Sequence, residues 1–337
     1  MQSFDLYKYV RPNIVSLKPY SSARDEFKGK EGIFLDANEN PIGALNRYPD
    51  PYQVELKAAL SKIKNVAPEN IFIGNGSDEV IDLVYRIFCD IDKDVVITCP
   101  PTYGMYEVSA NINNIPIINI PLTNDFELDV DKILSTKAKI VFVCSPNNPT
   151  ANSLKNIEYI IQKFDGIVFV DEAYIDFSEQ RSLLEKINEY PNLIVSQTFS
   201  KAWGMAAVRV GTAYASKEII GLYNKVKPPY NVSLLNQQAV IDAMKNIELF
   251  EKNTALILSQ REWLHKELSS LGIVKKIYPS DANFLLVEVT DADFIYNTLA
   301  NKKIVTRNRN SVVKNCIRIT VGTPDENIEL INAMKKI

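Results

Sequence analysis

The stretch Lys139-Ile140-Val141-Phe142-Val143-Cys144-Ser145 runs straight into Pro146-Asn147-Asn148-Pro149-Thr150. Its middle is continuous in β-branched and aromatic residues. A strand with one wet face would alternate apolar and polar side chains; one covered on both faces need not. Similar short runs fall at Val95–Thr98, Ile115–Ile120, Gly166–Asp171, Leu193–Thr198 and Val210–Ala215. Helical patterns lie between them. Ser77–Phe88 places Val80, Val84 and Ile87 on one face with Ile81 and Phe88 beside it, and Leu154–Phe164 also reads as a helix. Strand and helix alternating over about 130 residues predict an α/β fold, a mostly parallel central sheet with helices on both faces. Ligands in such sheets sit beyond the carboxyl ends of the strands.

Past Lys227-Pro228-Pro229 the character changes. Leu235–Leu271 reads as one long helix, with Ala239, Ala243, Ile247, Phe250, Leu258 and Leu268 among its apolar positions, and Gly272 as its stop. Strand-like runs at Asn283–Val289 and Cys316–Val321 surround a helix near Asp293–Leu299, and a last helix closes the chain. This is a smaller α+β domain. A length of 337 residues is itself more than one ordinary core requires.

Composition removes several classes of function. The chain is 46% hydrophobic and 23% charged with a net charge of −3, ordinary for a globular enzyme and unlike a nucleic-acid binder with its basic stripe. No apolar stretch is long enough for a membrane span. Met1–Lys8 lacks the basic-then-apolar layout of a signal peptide, so a cytoplasmic location is expected. Cys89, Cys99, Cys144 and Cys316 are scattered without metal spacing and read as buried free thiols; no metal is expected. His265 is the only histidine. It accompanies neither a GxSxG nucleophile elbow nor an HExxH helix, and reads as a structural or surface residue.

The chemistry sits where the apolar runs end. Ser145–Thr150 follows one, Asp171-Glu172-Ala173-Tyr174 ends another, and Phe199-Ser200-Lys201-Ala202-Trp203-Gly204 follows a third, with Arg209 eight residues beyond Lys201. Alone, Lys201 would read as a solvated surface charge. In the company of Asn148, Asp171 and Tyr174 it has what pyridoxal 5′-phosphate needs: an amine to form a Schiff base and a carboxylate to pair with the ring nitrogen. Gly74-Asn75-Gly76-Ser77-Asp78-Glu79 opens the first helix, where glycine and free N–H groups favour an anion. Plain helix capping would choose much the same residues, and neither a Walker loop nor a GxGxxG fingerprint is present. Joined to Ser200 and Arg209, the segment becomes a phosphate cradle. Tyr103, in Pro100–Tyr106, is either an aromatic that stacks on a flat ring or a tyrosine packed in a Pro-rich turn.

On these motifs the chain resembles the fold-type I pyridoxal phosphate-dependent aminotransferases, class II, and among them the histidinol-phosphate aminotransferases. The resemblance runs through Leu17–Arg24, Leu35–Pro41, Arg47–Asp50, Pro100–Tyr106, Ser145–Thr150, Asp171–Tyr174, Ser200–Arg209 and Ile317–Thr323. It implies that Lys201 forms the Schiff base and that Asp171 faces the ring nitrogen. It assigns Asn148 and Tyr174 to the ring's phenolic oxygen and Tyr103 to stacking. Gly76, Ser77, Asp78, Ser200 and Arg209 would surround the phosphate, and Tyr48 would reach it from a neighbouring subunit, making a homodimer with shared sites. Tyr20, Asn38, Arg307 and Arg318 would hold substrate.

The implied layout is an N-terminal arm (1–40) packing with the small domain, a large cofactor domain (41–230) and a small domain (231–337). The implied reaction moves an amino group from L-histidinol phosphate to 2-oxoglutarate by ping-pong kinetics, within histidine biosynthesis. The chain departs from the family pattern at Ala151, where glycine is common, and at Trp203 and Ala207 in the loop after the lysine. Aromatic aminotransferase and threonine-phosphate decarboxylase remain open on the same scaffold. A non-catalytic cofactor-binding regulator is disfavoured, since no spare length or basic helix is present for a DNA-binding module.

Overall fold

The computed structural model describes residues 4–20 and 32–337. The central sheet has seven strands: β1 (Ile71–Gly74), β2 (Val96–Thr98), β3 (Ile117–Asn119), β4 (Ile140–Cys144), β5 (Ile167–Asp171), β6 (Leu193–Thr198) and β7 (Gly211–Ala215). Their spatial order is β1-β7-β6-β5-β4-β2-β3. Strands β6, β5, β4, β2 and β3 run parallel, and β7 lies antiparallel between β1 and β6. The sheet is thus mostly parallel, with one reversed strand.

The two central strands explain the unbroken apolar runs. In β4, Ile140, Phe142 and Cys144 enter one core cluster, and Val141 and Val143 enter the cluster on the other face. In β5, Ile167 and Phe169 face one way and Val168 and Val170 the other. Both faces are therefore dry, and each such buried Val, Ile or Phe stabilises by about 1.5–3 kcal/mol relative to an exposed one. Tyr85, Phe142 and Tyr106 stack in series across one face, with centroids 5.1 Å apart at each step.

The second sheet is antiparallel, in the order β10-β11-β9-β8, with β8 Val274–Ile277, β9 Phe284–Val289, β10 Arg307–Asn308 and β11 Cys316–Thr320. Leu285, Val287, Val289, Ile317 and Ile319 pack on Leu264, Leu268, Ile295, Leu299 and Leu330 of the covering helices. On the other face of the sheet, Phe284 joins Ala151, Tyr174, Phe177 and Ala282 in a small bridging core.

Four expectations need correcting. The helical pattern over Leu235–Leu271 is two helices, Leu234–Met244 and Ile247–Ser269. Asn246 breaks it by leaving helical geometry (φ −119°) and accepting a cap bond from the Leu249 N–H at 3.1 Å. Gly272 is not the stop: the helix already ends at Ser269, with Ser270 as its cap in right-handed geometry. The N-terminal arm does not pack on the small domain over residues 4–20. Leu6, Tyr9, Val10 and Ile14 are buried in the large-domain core beside Val80, Val84 and Ile87. Arg11 adds an ion pair to Asp90 at 3.1 Å, and its N–H donates to the Ile87 carbonyl. Strands β1, β8 and β10 also went unexpected, because they are short and lack a long apolar run.

Among the described residues no helix is long and apolar enough to cross a membrane, and no cluster of potential metal ligands occurs. The four cysteines are free and buried.

Candidate active site

Strands β4, β5 and β6 are adjacent and parallel, so their carboxyl ends lie side by side. Asn148 follows the first, Asp171 ends the second, and Lys201 follows the third. These residues line a cavity of about 150 Å³ with Ser77, Asp78, Tyr103, Cys144, Tyr174, Ser200 and Arg209. Nine of the residues singled out in the sequence therefore meet at one place.

Each motif divides into residues that build the loop and residues that face the cavity. Asn147 is fully buried and structural: its amide donates to Pro101 O (2.8 Å) and Thr150 Oγ1 (2.7 Å), and it accepts from Thr102 Oγ1 at 3.0 Å. Its neighbour Asn148 faces the cavity and accepts a hydrogen bond from Arg318. Glu172 likewise turns away. It accepts from the Leu183 N–H (2.7 Å), from Gln197 Nε2 (2.9 Å) and from the Ser182 hydroxyl, pinning the following loop.

Asp171 is only 3% exposed. One oxygen accepts from the Tyr106 hydroxyl at 2.7 Å and the other from the Ala173 N–H at 3.1 Å. Burial pushes its carboxyl up to about 6, against the pull of these donors and of Lys201. A positive charge placed in the cavity would hold it ionised. Lys201 points its amine toward Tyr174, 5.6 Å from the ring centroid, and the surface it exposes lines the cavity. Surrounding protein and then the Arg318 charge lower its proton affinity below that of a free lysine.

The anion cradle is built from three elements. The helix Ser77–Phe88 starts behind Gly76 with no side-chain cap, leaving its first N–H groups to a ligand. Gly76 has φ +81°, a backbone that strains any other residue, and a Cβ there would also push the Arg209 guanidinium, 2.6 Å away, out of place. Gly211 of β7 is equally constrained: a Cβ would collide with backbone atoms of Gly76 and Ser77. Arg209 reaches Ser200 Oγ at 3.5 Å and Asp78 Oδ2 at 3.3 Å. Asp78 also accepts from the Tyr103 hydroxyl at 3.1 Å. Its carboxylate therefore positions Tyr103 and Arg209, and only its backbone N–H can serve an anion. The cradle, the buried acid and the half-desolvated amine suit a phosphorylated pyridine aldehyde.

The remaining predicted residues are not in this cavity. Arg318 adjoins it through Asn148 and lies over the Phe284 ring at 5.2 Å. Arg307 is exposed, directly opposite Arg318 in the β10–β11 register. Tyr20, 68% exposed, lines a separate hollow with Tyr52 and Tyr230. Tyr48 stacks on Tyr230 at 4.4 Å, and Asn38 is exposed with φ +55°. Tyr106, whose bond to Asp171 no motif announces, and Arg309 have no role in the sequence reading. Two of the three family departures are accommodated by packing. Ala151 sits at φ +69° in the bridging core, and Trp203 stacks on Phe250 at 4.2 Å, tying the Lys201 loop to the long helix.

Residues 29–334 match the aminotransferase class I and II family. The histidinol-phosphate aminotransferase of Cytophaga hutchinsonii is 52% identical over 345 residues, covering 99% of each chain. Among solved structures, the histidinol-phosphate aminotransferase of Clostridium acetobutylicum matches with a TM-score of 0.79 at 22% identity, over 89% of this chain and 97% of that one. The Sinorhizobium meliloti histidinol-phosphate aminotransferase in complex with pyridoxal 5′-phosphate matches with a TM-score of 0.78 at 23% identity, over 86% and 82%. The chain belongs to the class I and II aminotransferases, fold-type I enzymes that work with pyridoxal 5′-phosphate. Within them it groups with the histidinol-phosphate aminotransferases.

Proposed function

We propose that this enzyme transfers the amino group of L-histidinol phosphate to 2-oxoglutarate, yielding imidazole acetol phosphate and L-glutamate, as a step of histidine biosynthesis. The observation that carries it is the delivery of Asn148, Asp171 and Lys201 into one cavity beside an uncapped helix start, with Arg318 adjoining. Bound pyridoxal 5′-phosphate supplies an electrophilic aldehyde and a ring that accepts electron density. The chain supplies the rest. The helix start, Ser200 and Arg209 hold a phosphate dianion. Asp171 keeps a proton on the ring nitrogen. Asn148 and Tyr174 serve the phenolic oxygen, and Tyr103 offers its ring face. Lys201, whose proton affinity is already lowered, would take the proton from the substrate's amine-bearing carbon and give it back later in the reaction. Arg318, with Arg307 and Tyr20, takes the substrate's anionic end, where a guanidinium fork suits both carboxylate and phosphate. An amino-donor screen tests this: histidinol phosphate should be the best donor, with glutamate formed stoichiometrically. Carbon dioxide release, or a preference for free aromatic amino acids, would defeat it in favour of the decarboxylase or the aromatic enzyme.

The working form is a homodimer in the cytoplasm. Ile33, Leu35, Ile42, Leu45, Tyr48, Tyr52 and Val54 are all at least 42% exposed within one short stretch, more apolar surface than a lone chain ordinarily shows. Tyr20, Asn38 and Tyr48 lie away from their own cavity, which suits delivery to a partner's site. Four free, buried thiols fit a reducing compartment. Sedimentation should give a dimer at assay concentration; an active monomer would refute the shared site.

A further inference from the structure

Three arginines share one face of the small sheet. Arg307 opposes Arg318 in register. Beyond the last ladder pair the hairpin continues, because the Arg309 N–H donates to the Cys316 carbonyl at 2.9 Å. Alternation then puts Arg309 on the face of Arg307, and so of Arg318. That face is the cavity's side: Arg318 reaches Asn148 from it.

Structural arginines at a protein's interior edge bring an acid with them. These do not. None of the three forms an ion pair with a described carboxylate. Arg309 is only part-exposed, and its Nε is sealed from solvent with no acceptor; Arg318 Nε is in the same condition. Burial, then the charges of Arg318 and Arg307, disfavour the Arg309 cation, while Tyr174 lies close enough to interact with it electrostatically. Such a cluster carries three mutually repelling charges and buried donors in want of an acceptor. A polyanionic group between them would offset both costs.

We propose that Arg309 is a specificity-determining residue: with Arg318 and Arg307 it completes a forked set of donors for the dianionic phosphate ester of the amino donor. This rests on the histidinol phosphate reading above and deepens it. A carboxylate offers two oxygens and one charge, which Arg318 can satisfy alone. A phosphate monoester offers three oxygens and two charges, and Arg309 answers that difference.

The test uses Arg309→Gln and Arg309→Lys holoenzymes in single-turnover half-reactions with histidinol phosphate, unphosphorylated histidinol and glutamate. Arg309→Gln should raise the apparent Kd for histidinol phosphate roughly 10- to 100-fold, and change the other two by less than about threefold. Inorganic phosphate should weaken as a competitive inhibitor by a similar factor. Arg309→Lys, which keeps the charge but loses the fork, should fall between wild type and Arg309→Gln; it also guards against misfolding of the glutamine variant. Equal losses on all three substrates, or none, overturn the proposal. If wild type itself gains nothing from the phosphate group, the substrate reading falls first. If wild type prefers histidinol phosphate and Arg309→Gln keeps that preference, only the role of Arg309 falls.

Discussion

The two halves of the site are built differently. The proposed cofactor half lies at the ends of β4, β5 and β6, where Asp171, Asn147 and Glu172 are buried and hydrogen-bonded through their side chains within a single chain. The proposed substrate half would draw on Tyr20, Asn38, Arg307, Arg309 and Arg318, which are exposed or hold unpaired donors. Chemistry common to a large family needs a rigid, pre-paid environment, since misplacing a reactive group by an ångström is costly. Substrate choice needs donors left open to a ligand.

The largest effect expected from breaking the cofactor half is at Lys201. Lys201→Ala should keep its fold, since the amine lines a cavity and fills no core. It should lose turnover by about 10⁴-fold or more and lose the visible absorbance of lysine-bound cofactor. Arg318→Ala probes the seam between the halves. It removes a charge-assisted contact from both substrates and leaves Asn148 Oδ1 without its donor, so both half-reactions should slow roughly 10- to 100-fold. A loss confined to one substrate would show that the halves are independent.

Asp171 gives a sign-dependent check. Its folded pKa of about 6 lies above its unfolded value, so its contribution to stability is full below about pH 4 and is lost as pH rises through 6. Cofactor-free Asp171→Asn should therefore be more stable than cofactor-free wild type at pH 8, by up to roughly 3 kcal/mol, with the gap closing toward pH 4. Urea melts at the two pH values read this directly; a gap that widens toward acid would mean the carboxylate is stabilised, not strained, by its surroundings. The same substitution should cripple transamination, so stability and activity move apart at one residue.

Smaller still, Tyr106→Phe deletes the hydroxyl that favours ionised Asp171. The pH profile of kcat should shift alkaline with a loss of about tenfold, from a hydrogen bond worth about 1.5 kcal/mol to a charged group. An unmoved profile would make Tyr106 a packing residue. The least effect is expected at Ala151→Gly. Relief of the left-handed backbone, about 1–2 kcal/mol, is opposed by the loss of a fully buried methyl, about 0.8 kcal/mol, so the melting midpoint should barely move.

The cofactor half was legible because each of its loops is contiguous in sequence and follows an unmistakable buried strand. Asn148, Asp171 and Lys201 could be placed at strand ends without any structure. What could not be read has a common physical cause. Tyr106 meets Asp171 across 65 residues, and Arg309 gains meaning only from a hairpin register. The break at Asn246 hides inside continuous apolar periodicity, because a cap needs only one side chain. The arm's packing onto Val80 and Ile87 depends on which apolar surface is nearest, and no local pattern reports that.

Gly211 carries a consequence beyond its own strand. The reversed strand β7 runs so close under the start of the helix Ser77–Phe88 that a single methyl at position 211 would meet backbone on both sides of the Gly76–Ser77 peptide. Nothing there can rotate aside, so the methyl must lift the whole helix start away from Arg209. In a library of random variants, position 211 should be nearly as depleted as position 201, although it touches no reacting atom. Its selection would be for a gap one atom wide, recorded in the population as an empty column beside the chemistry.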